Sequence, residues 1–157
     1  MNFRFYKDSI AKKATNSDLL HLNNFCADVM SRMLVFVEAI SRRDLSCREQ
    51  VGIDSLIQMV RSNNVDWAIA GQILDELTLI SEEDAEYTLE PEFIDFLCAM
   101  DGWRALTEKE DSKFAIFVAE NMMNILDYHF VDLVSLDDWL SVTELQNEFQ
   151  KQMNFFE

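Results

Sequence analysis

The 157-residue chain is expected to fold as an all-α, single-domain bundle of six or seven helices, spanning 1–157 and packed around a central apolar helix at about residues 108–134. Three observations carry that expectation. Only three Gly and one Pro interrupt the chain, and good helix formers outnumber Val, Ile and Thr. Apolar residues make up 49%, with twelve Phe, eight Met and three Trp, enough for a core that offsets ordering entropy in spite of the charge. Those apolar residues recur at spacings of three and four, between short polar stretches that read as caps.

The first segment mixes Phe3, Phe5 and Tyr6 with Arg4, Lys7, Lys12 and Lys13, and reads as an amphipathic helix from about Tyr6. Asn16-Ser17-Asp18 supplies an N-cap region for a helix whose seam is Leu19, Leu22, Cys26, Val29, Met33, Phe36 and Ile40. Phe25, Met30, Leu34 and Val37 widen that seam into a face for a bundle core, and the helix should stop near Ser41-Arg42-Arg43. Ser46-Cys47-Arg48-Glu49 reads as a capping box opening a helix on Ile53, Leu56, Ile57 and Val60, broken by Ser62-Asn63-Asn64. Asn64 then caps a helix burying Trp67, Ala70, Ile73, Leu74 and Leu77, in which Gly71 invites a neighbouring helix to approach. Ser81-Glu82-Glu83-Asp84 looks like another cap with an acidic first turn, or an acidic loop.

Pro91 after Glu90 starts a helix to about Met100 on Phe93, Phe96, Leu97 and Met100. Asp101-Gly102 reads as its terminating turn, and Trp103, Arg104 and Leu106 as a connector. Thr107-Glu108-Lys109-Glu110 repeats the capping-box pattern and opens the most apolar helix, on Phe114, Phe117, Val118, Met122, Ile125, Leu126, Phe130, Leu133 and Val134. Glu120, Asn121, Asn124 and Asp127 form its narrow polar strip. Ser135-Leu136-Asp137-Asp138 caps a last helix on Trp139, Val142, Leu145, Phe149, Met153 and Phe156.

The formal net charge is −16 and unevenly spread, +2 over residues 1–50 and −18 over 51–157. Such a surface speeds encounter with cations and disfavours nucleic acid or anionic membrane as a direct partner. The opening MNFRFYKDSI is charged and lacks the apolar region of a signal peptide, and the longest apolar run, 114–119, is far short of a membrane span. Three Cys without C-x-x-C spacing fit a reduced, cytoplasmic home.

Catalytic templates fail in turn. Three isolated Gly make neither a P-loop nor G-x-G-x-x-G, and no G-x-S-x-G or H-E-x-x-H occurs. The nearest approach to a di-metal Glu-x-x-His motif is Asp18-x-x-His21. His129 beside Asp127 and Asp132 has the neighbours of a general base, but a rim histidine bonded to a neighbour is the simpler reading. Cys26 and Cys98 fall on apolar faces, unlike activated nucleophiles. Glu82, Glu83, Asp84 and Glu86 lack the ligand spacing and central Gly of a calcium loop. No enzyme activity, cofactor or metal is expected.

What stands out is 75–111, with thirteen carboxylates against Arg104 and Lys109. Acids near helix N-termini favour the helix dipole, which accounts for part of this charge. It does not account for the near absence of interspersed Lys, which an ordinary soluble surface carries. The expectation is therefore a protein-docking face made by Glu82, Glu83, Asp84, Glu86, Glu90, Glu92, Asp95 and Asp101, with Tyr87 and Trp103 as aromatic anchors.

A short, acidic, helical chain without catalytic motifs resembles the bacterial immunity proteins of contact-dependent inhibition and other polymorphic toxin systems. The resemblance is one of type over the whole chain and carries over no signature residue. It implies a one-to-one inhibitor that binds and neutralises a cognate basic toxin, by nature a nuclease, at its active site or a nearby exosite. Two alternatives share these features: a secretion chaperone or adaptor holding a partner's helix in an apolar groove, and a phage-encoded inhibitor of a nucleic-acid-binding defence protein.

Overall fold

A helix apolar around most of its girth must be covered on most sides, and the chain does this with four other helices. The computed structural model describes residues 2–83, 89–132 and 134–157, with the side chains of 78–83 outside that description. Among the described residues it holds α1 (Phe3–Thr15), α2 (Leu19–Ala39), α3 (Cys47–Arg61), α4 (Trp67–Glu83), α5 (Pro91–Lys109), α6 (Lys113–Phe130), a 3-10 turn (Trp139–Ser141) and α7 (Thr143–Phe155), with no strand. Helix α6 packs against α1, α2, α5 and α7, while α3 and α4 extend the bundle from α2 and α5. The all-α bundle around a central apolar helix is thus what the structure shows.

Side-chain pairings give the helix directions. Gly102 of α5 meets Phe117 of α6, Asp95 meets Asn124 and Glu92 meets His129, so the two helices run antiparallel. Asn23 of α2 meets Trp103, and Phe36 meets His129 and Phe130, so α2 runs beside α6 in the same direction. Arg32 meets Glu148 and Phe25 meets Phe156, which sets α7 antiparallel to α2.

Local signals place several helix starts. Asn2 and Asp18 cap α1 and α2, accepting from the Phe5 and His21 N–H groups. The Ser46/Glu49 box is complete, each side chain accepting from the other residue's backbone N–H at 3.1 and 3.2 Å. Asn63, at φ 50°, ends α3 in a Schellman turn, with the Asn64 N–H on the Met59 carbonyl at 3.1 Å. Asn64 is therefore used in that turn, and Asp66 rather than Asn64 caps α4, accepting from Ala68 and Ile69.

Several boundaries depart from the sequence reading, among them α1 beginning at Phe3 rather than about Tyr6 and α6 ending at Phe130 rather than Val134, with Leu133 outside the described residues. Helix α5 does not stop at Asp101-Gly102 but runs on to Lys109, because Trp103 and Leu106 continue the buried face of Phe96, Ala99 and Met100. Burying two such side chains is worth several kcal/mol, against roughly 1 kcal/mol for an interior Gly. Thr107 to Glu110 is consequently not a capping box but the end of α5, closed by Glu110 in the left-handed region at φ 55°, and α6 begins at Lys113. Ser81, Glu82 and Glu83 finish α4 instead of opening a new helix. Finally, Ser135 to Asp138 forms a turn, and Val142 in extended conformation separates the 3-10 turn at Trp139 from α7, which starts only at Thr143.

Two glycines sit where a side chain would collide. A Cβ on Gly102 would stand 2.8 Å from the Phe117 ring and 3.4 Å from a Val118 methyl, so Gly102 lets α6 lie close against α5. A Cβ on Gly71 would stand 2.9 Å from the Arg104 guanidinium, which lies across α4 and reaches Asp75 at 2.9 Å.

The core also holds a polar tie that the sequence did not advertise. Tyr6 donates to Gln152 Oε1 at 2.9 Å, Gln152 donates to Glu148 at 3.0 Å, and Arg32 grips both Glu148 oxygens at 2.8 and 2.9 Å. Burial, helped by Glu120 and Glu148, pushes the Tyr6 hydroxyl well above the usual phenol range and keeps it a donor. The tie joins α1, α7 and α2, and Gln152 also donates to the Ala119 carbonyl of α6 at 3.5 Å.

Replacing Glu148 by Ala leaves the Arg32 guanidinium with Asp28 alone, and we expect a loss of about 2 kcal/mol, read as a lower urea midpoint at unchanged slope. The two glycines should respond oppositely. Gly71→Ala gains up to about 1 kcal/mol, because only the flexible end of Arg104 has to move, and raises Tm by about 2–4 °C. Gly102→Val loses about 1–3 kcal/mol in the same melt, since its branched side chain meets the Phe117 ring and the fully buried Val118.

Candidate functional site

Two stretches of the chain contain no Lys or Arg: 62–103, with eleven carboxylates, and 114–150, with seven. The antiparallel packing of α5 on α6 brings parts of both to one end of the bundle. The first turns of α5 supply Glu90, Glu92 and Asp95; the last turn of α6 and the segment after it supply Asp127, Asp132, Asp137 and Asp138. Neither helix nor that segment brings a Lys or Arg to this end. The next cation along α5 is Arg104, about 13 Å of helix beyond Asp95.

The carboxylates at this end divide into two sets. Glu92 and Asp95 point inward, each 8% exposed. Glu92 Oε1 lies 3.0 Å from His129 Nε2, while its Oε2 has no partner among the described residues. Asn124 Nδ2 donates to Asp95 Oδ1 at 3.3 Å. Burial pushes the Asp95 carboxyl up to about 6; the Asn124 bond acts in the opposite sense and the neighbouring Glu92 adds to the rise. Asp127 is also engaged, accepting the Trp139 indole N–H at 2.8 Å. Glu90, Asp132, Asp137 and Asp138 form the outward set and are all exposed.

Apolar side chains stand among the outward carboxylates. Ile94, Tyr128, Phe130 and Leu136 are 42%, 60%, 41% and 70% exposed, a mixture of anchors and charge suited to protein recognition. His129 packs on Phe36 at 5.0 Å between ring centroids and meets Glu92, so its ring is a packed rim group; the acid it pairs with is neither Asp127 nor Asp132.

The residues expected from the sequence fare unequally. Glu90 and Asp101 are exposed, Asp101 sharing Arg104 with Asp75 and Glu108. Glu92 and Asp95 lie at the right end but face inward. Trp103 is no surface anchor: it is 2% exposed, donates its indole N–H to Asn23 at 2.7 Å and packs edge-on against Trp67. Asp84, Glu86 and Tyr87 lie outside the described residues, as do the side chains of Glu82 and Glu83.

The helix-dipole account of the acids also weakens. Glu82 and Glu83, read as the first turn of a helix, close α4 instead, and Glu108, read within a capping box, lies in the last turn of α5, where the dipole disfavours them. Sequence reasoning missed Asp127, Asp132, Asp137 and Asp138. Their signal was present as 37 residues without Lys or Arg, but apolar residues dominate that stretch and hide it.

Among the described residues no group of three or more His, Cys, Asp or Glu is placed to hold a metal ion, and no helix is long and apolar enough to cross a membrane. Burial pushes up the thiols of Cys26 and Cys98, the latter also facing Asp95 and Asp101, which is opposite to what a nucleophilic thiolate needs.

Asp95 gives the site a pH signature. Its carboxyl holds a proton in the fold up to about pH 6 but only to 3.8 when free, so its contribution to stability is complete below pH 3.8 and is lost as pH rises through 6. Asp95→Asn should accordingly be more stable than the parent at pH 7, by about 1 kcal/mol, with the difference vanishing near pH 4 in paired thermal melts.

Comparison with known proteins finds no family model, no curated protein and no solved structure that matches this chain.

Proposed function

We propose that this protein is an immunity protein, a one-to-one inhibitor that binds a basic bacterial toxin, a nuclease, through the acidic end of the bundle. The observation that supports this reading is the joining of two cation-free stretches at that end, with exposed apolar side chains set among the carboxylates. Concentrating like charge costs stability through self-repulsion, and a surface needed only for solubility would intersperse Lys. A nuclease offers the complement, since its substrate groove is lined with cations for phosphate. Carboxylates held on two helix ends and the segment after α6 can occupy phosphate positions in such a groove. They would block it without any catalytic act by the inhibitor. A cytoplasmic station, where such a toxin would act, goes with this reading.

The test begins with the protein encoded in the adjacent reading frame, co-expressed and co-purified with this one. A one-to-one complex is expected, with an association rate that falls at least about tenfold between low and moderate salt. Changing Glu90, Asp132, Asp137 and Asp138 together to Gln and Asn should remove most of that salt dependence and most of the protection of cells, while leaving the helical circular dichroism intact. A folded quadruple variant that still protects fully would show that this end is not the site.

A further inference from the structure

We propose that Glu92 and Asp95 share one proton and act as a pH-operated clasp between the start of α5 and the end of α6. The two residues are three apart on one helix, so their Cβ atoms stand about 5–6 Å apart on the same face. That face is turned into the bundle, and each residue is 8% exposed. Two carboxylates at that depth and spacing do not both ionise readily, because each disfavours the charge of the other.

The donors present assign the proton. Asn124 Nδ2 donates to Asp95 Oδ1 at 3.3 Å, and His129 Nε2 stands 3.0 Å from Glu92 Oε1. Glu92 Oε2 is buried and has no partner among the described residues. An ionised carboxylate only accepts, whereas a protonated one adds an O–H donor. With Oδ1 taken by Asn124, a proton on Asp95 Oδ2 supplies the donor that Glu92 Oε2 lacks. Glu92 is the member kept as the anion, since the imidazole bond is the shorter one and favours the charged form. Burial pushes the Asp95 carboxyl up to about 6 against the opposing Asn124 bond, and the Glu92 charge adds to the rise.

The charges on the surrounding helices are occupied elsewhere. On α5, burial together with Asp95 and Asp101 pushes up the Cys98 thiol, so it brings no charge. On α6, Asp127 faces the Trp139 indole. From α2, Phe36 packs on His129, and Glu38 is held by Arg61. From α4, Asp75 and Glu76 pair with Arg104 and Arg48.

The place of the pair makes it a clasp. Glu90 occupies the N-cap position of α5 without a side-chain hydrogen bond, and Pro91 follows it, so the helix start is fastened through its inward side chains. Loss of the proton puts a second negative charge beside Glu92 on the face that α6 covers. The two carboxylates then repel, and Asp95 is relieved only by turning toward solvent. The contact is therefore firm while Asp95 holds its proton and loosens as pH rises through about 6. A freed Asp95 keeps its proton only to 3.8, so opening becomes about tenfold easier between pH 5 and pH 7. The device belongs to this chain alone and needs no partner.

The test uses the intact chain labelled with ¹³C and ¹⁵N. Carboxyl ¹³C shifts followed from about pH 3 to about pH 8 should give Asp95 a midpoint near 6, and the Glu92 carboxyl an inflection at the same pH. Glu92→Gln removes the neighbouring charge and should lower the Asp95 midpoint by at least about half a unit. Asp95→Asn, whose amide can still donate to Glu92 Oε2, should remove that inflection from Glu92. Amide exchange over residues 93–97, corrected for the intrinsic rate, should lose about tenfold in protection between pH 5 and pH 7 in the parent and none in Asp95→Asn.

An Asp95 midpoint near 6 with no response at Glu92, or one that Glu92→Gln leaves in place, would assign the shift to burial alone and overturn the shared proton. Separate titration of both carboxyls near about 4 would overturn it equally. Should Glu92→Gln fail to fold, the Glu92 inflection in the parent decides by itself. Coupled midpoints with unchanging exchange protection would overturn the clasp.

Discussion

The constraint that organises the molecule is the apolar girth of α6. Val118, Met122, Ile125 and Leu126 share the helix with Ala115, Ala119 and Met123, all buried, and no single neighbour can cover them. Helices α1, α2, α5 and α7 therefore surround it, and the closest of these contacts, with α5, depends on a residue without a side chain at Gly102. Once α5 and α6 are locked antiparallel, much follows without further choice. Asn124 falls opposite Asp95 and His129 opposite Glu92, so the acid-rich start of one helix and the acid-bearing end of the other share an end of the bundle. The polarity of the surface is thus a by-product of how the core is closed.

Within that frame the molecule treats its carboxylates in three ways. Some are matched, like Glu148 in the grip of Arg32, where burial is matched by three hydrogen bonds from neighbouring side chains. Some are buried at a cost, like Asp95, whose charged form burial disfavours, and Glu92, which keeps one oxygen unpartnered among the described residues. A third set, Glu90, Asp132, Asp137 and Asp138, is left in solvent with no Lys or Arg nearby on α5, α6 or the segment after α6. A fold under pressure for stability alone would convert the last two classes into the first, and that contrast motivates reading the acidic end as a recognition surface.

Much of the fold was legible in the sequence because the deciding atoms are local. Ser46 and Glu49 are three residues apart and complete their own box; Asp18 meets the His21 N–H; and the periodic apolar faces of α2 and α3 need no partner to be recognised. What could not be read depends on atoms far along the chain. Whether Gly102 ends α5 or admits a neighbour is decided by Phe117 and Val118 in the next helix. Whether Trp103 faces solvent or core is decided by Asn23, eighty positions earlier. The site divides the same way. The density of acids between Glu90 and Asp101 is visible in one dimension, but its union with Asp132, Asp137 and Asp138 exists only after α5 and α6 have paired. The inward turn of Glu92 and Asp95 is likewise a matter of helix phase against a neighbour, not of composition.

The antiparallel hairpin of α5 and α6 has a mechanical consequence in solution. Lys109 at the end of α5 and Lys113 at the start of α6 sit at the end opposite Glu90 and Asp132, and Lys12 and Lys13 at the end of α1 lie on their side. The chain is therefore an electric lever, with the exposed carboxylates of Glu90, Asp132, Asp137 and Asp138 grouped on one arm. In the field of a cationic body it experiences torque as well as attraction, over the roughly 8–10 Å that physiological salt allows. It would turn its acidic end forward during the final approach, so that fewer collisions are spent in the wrong orientation.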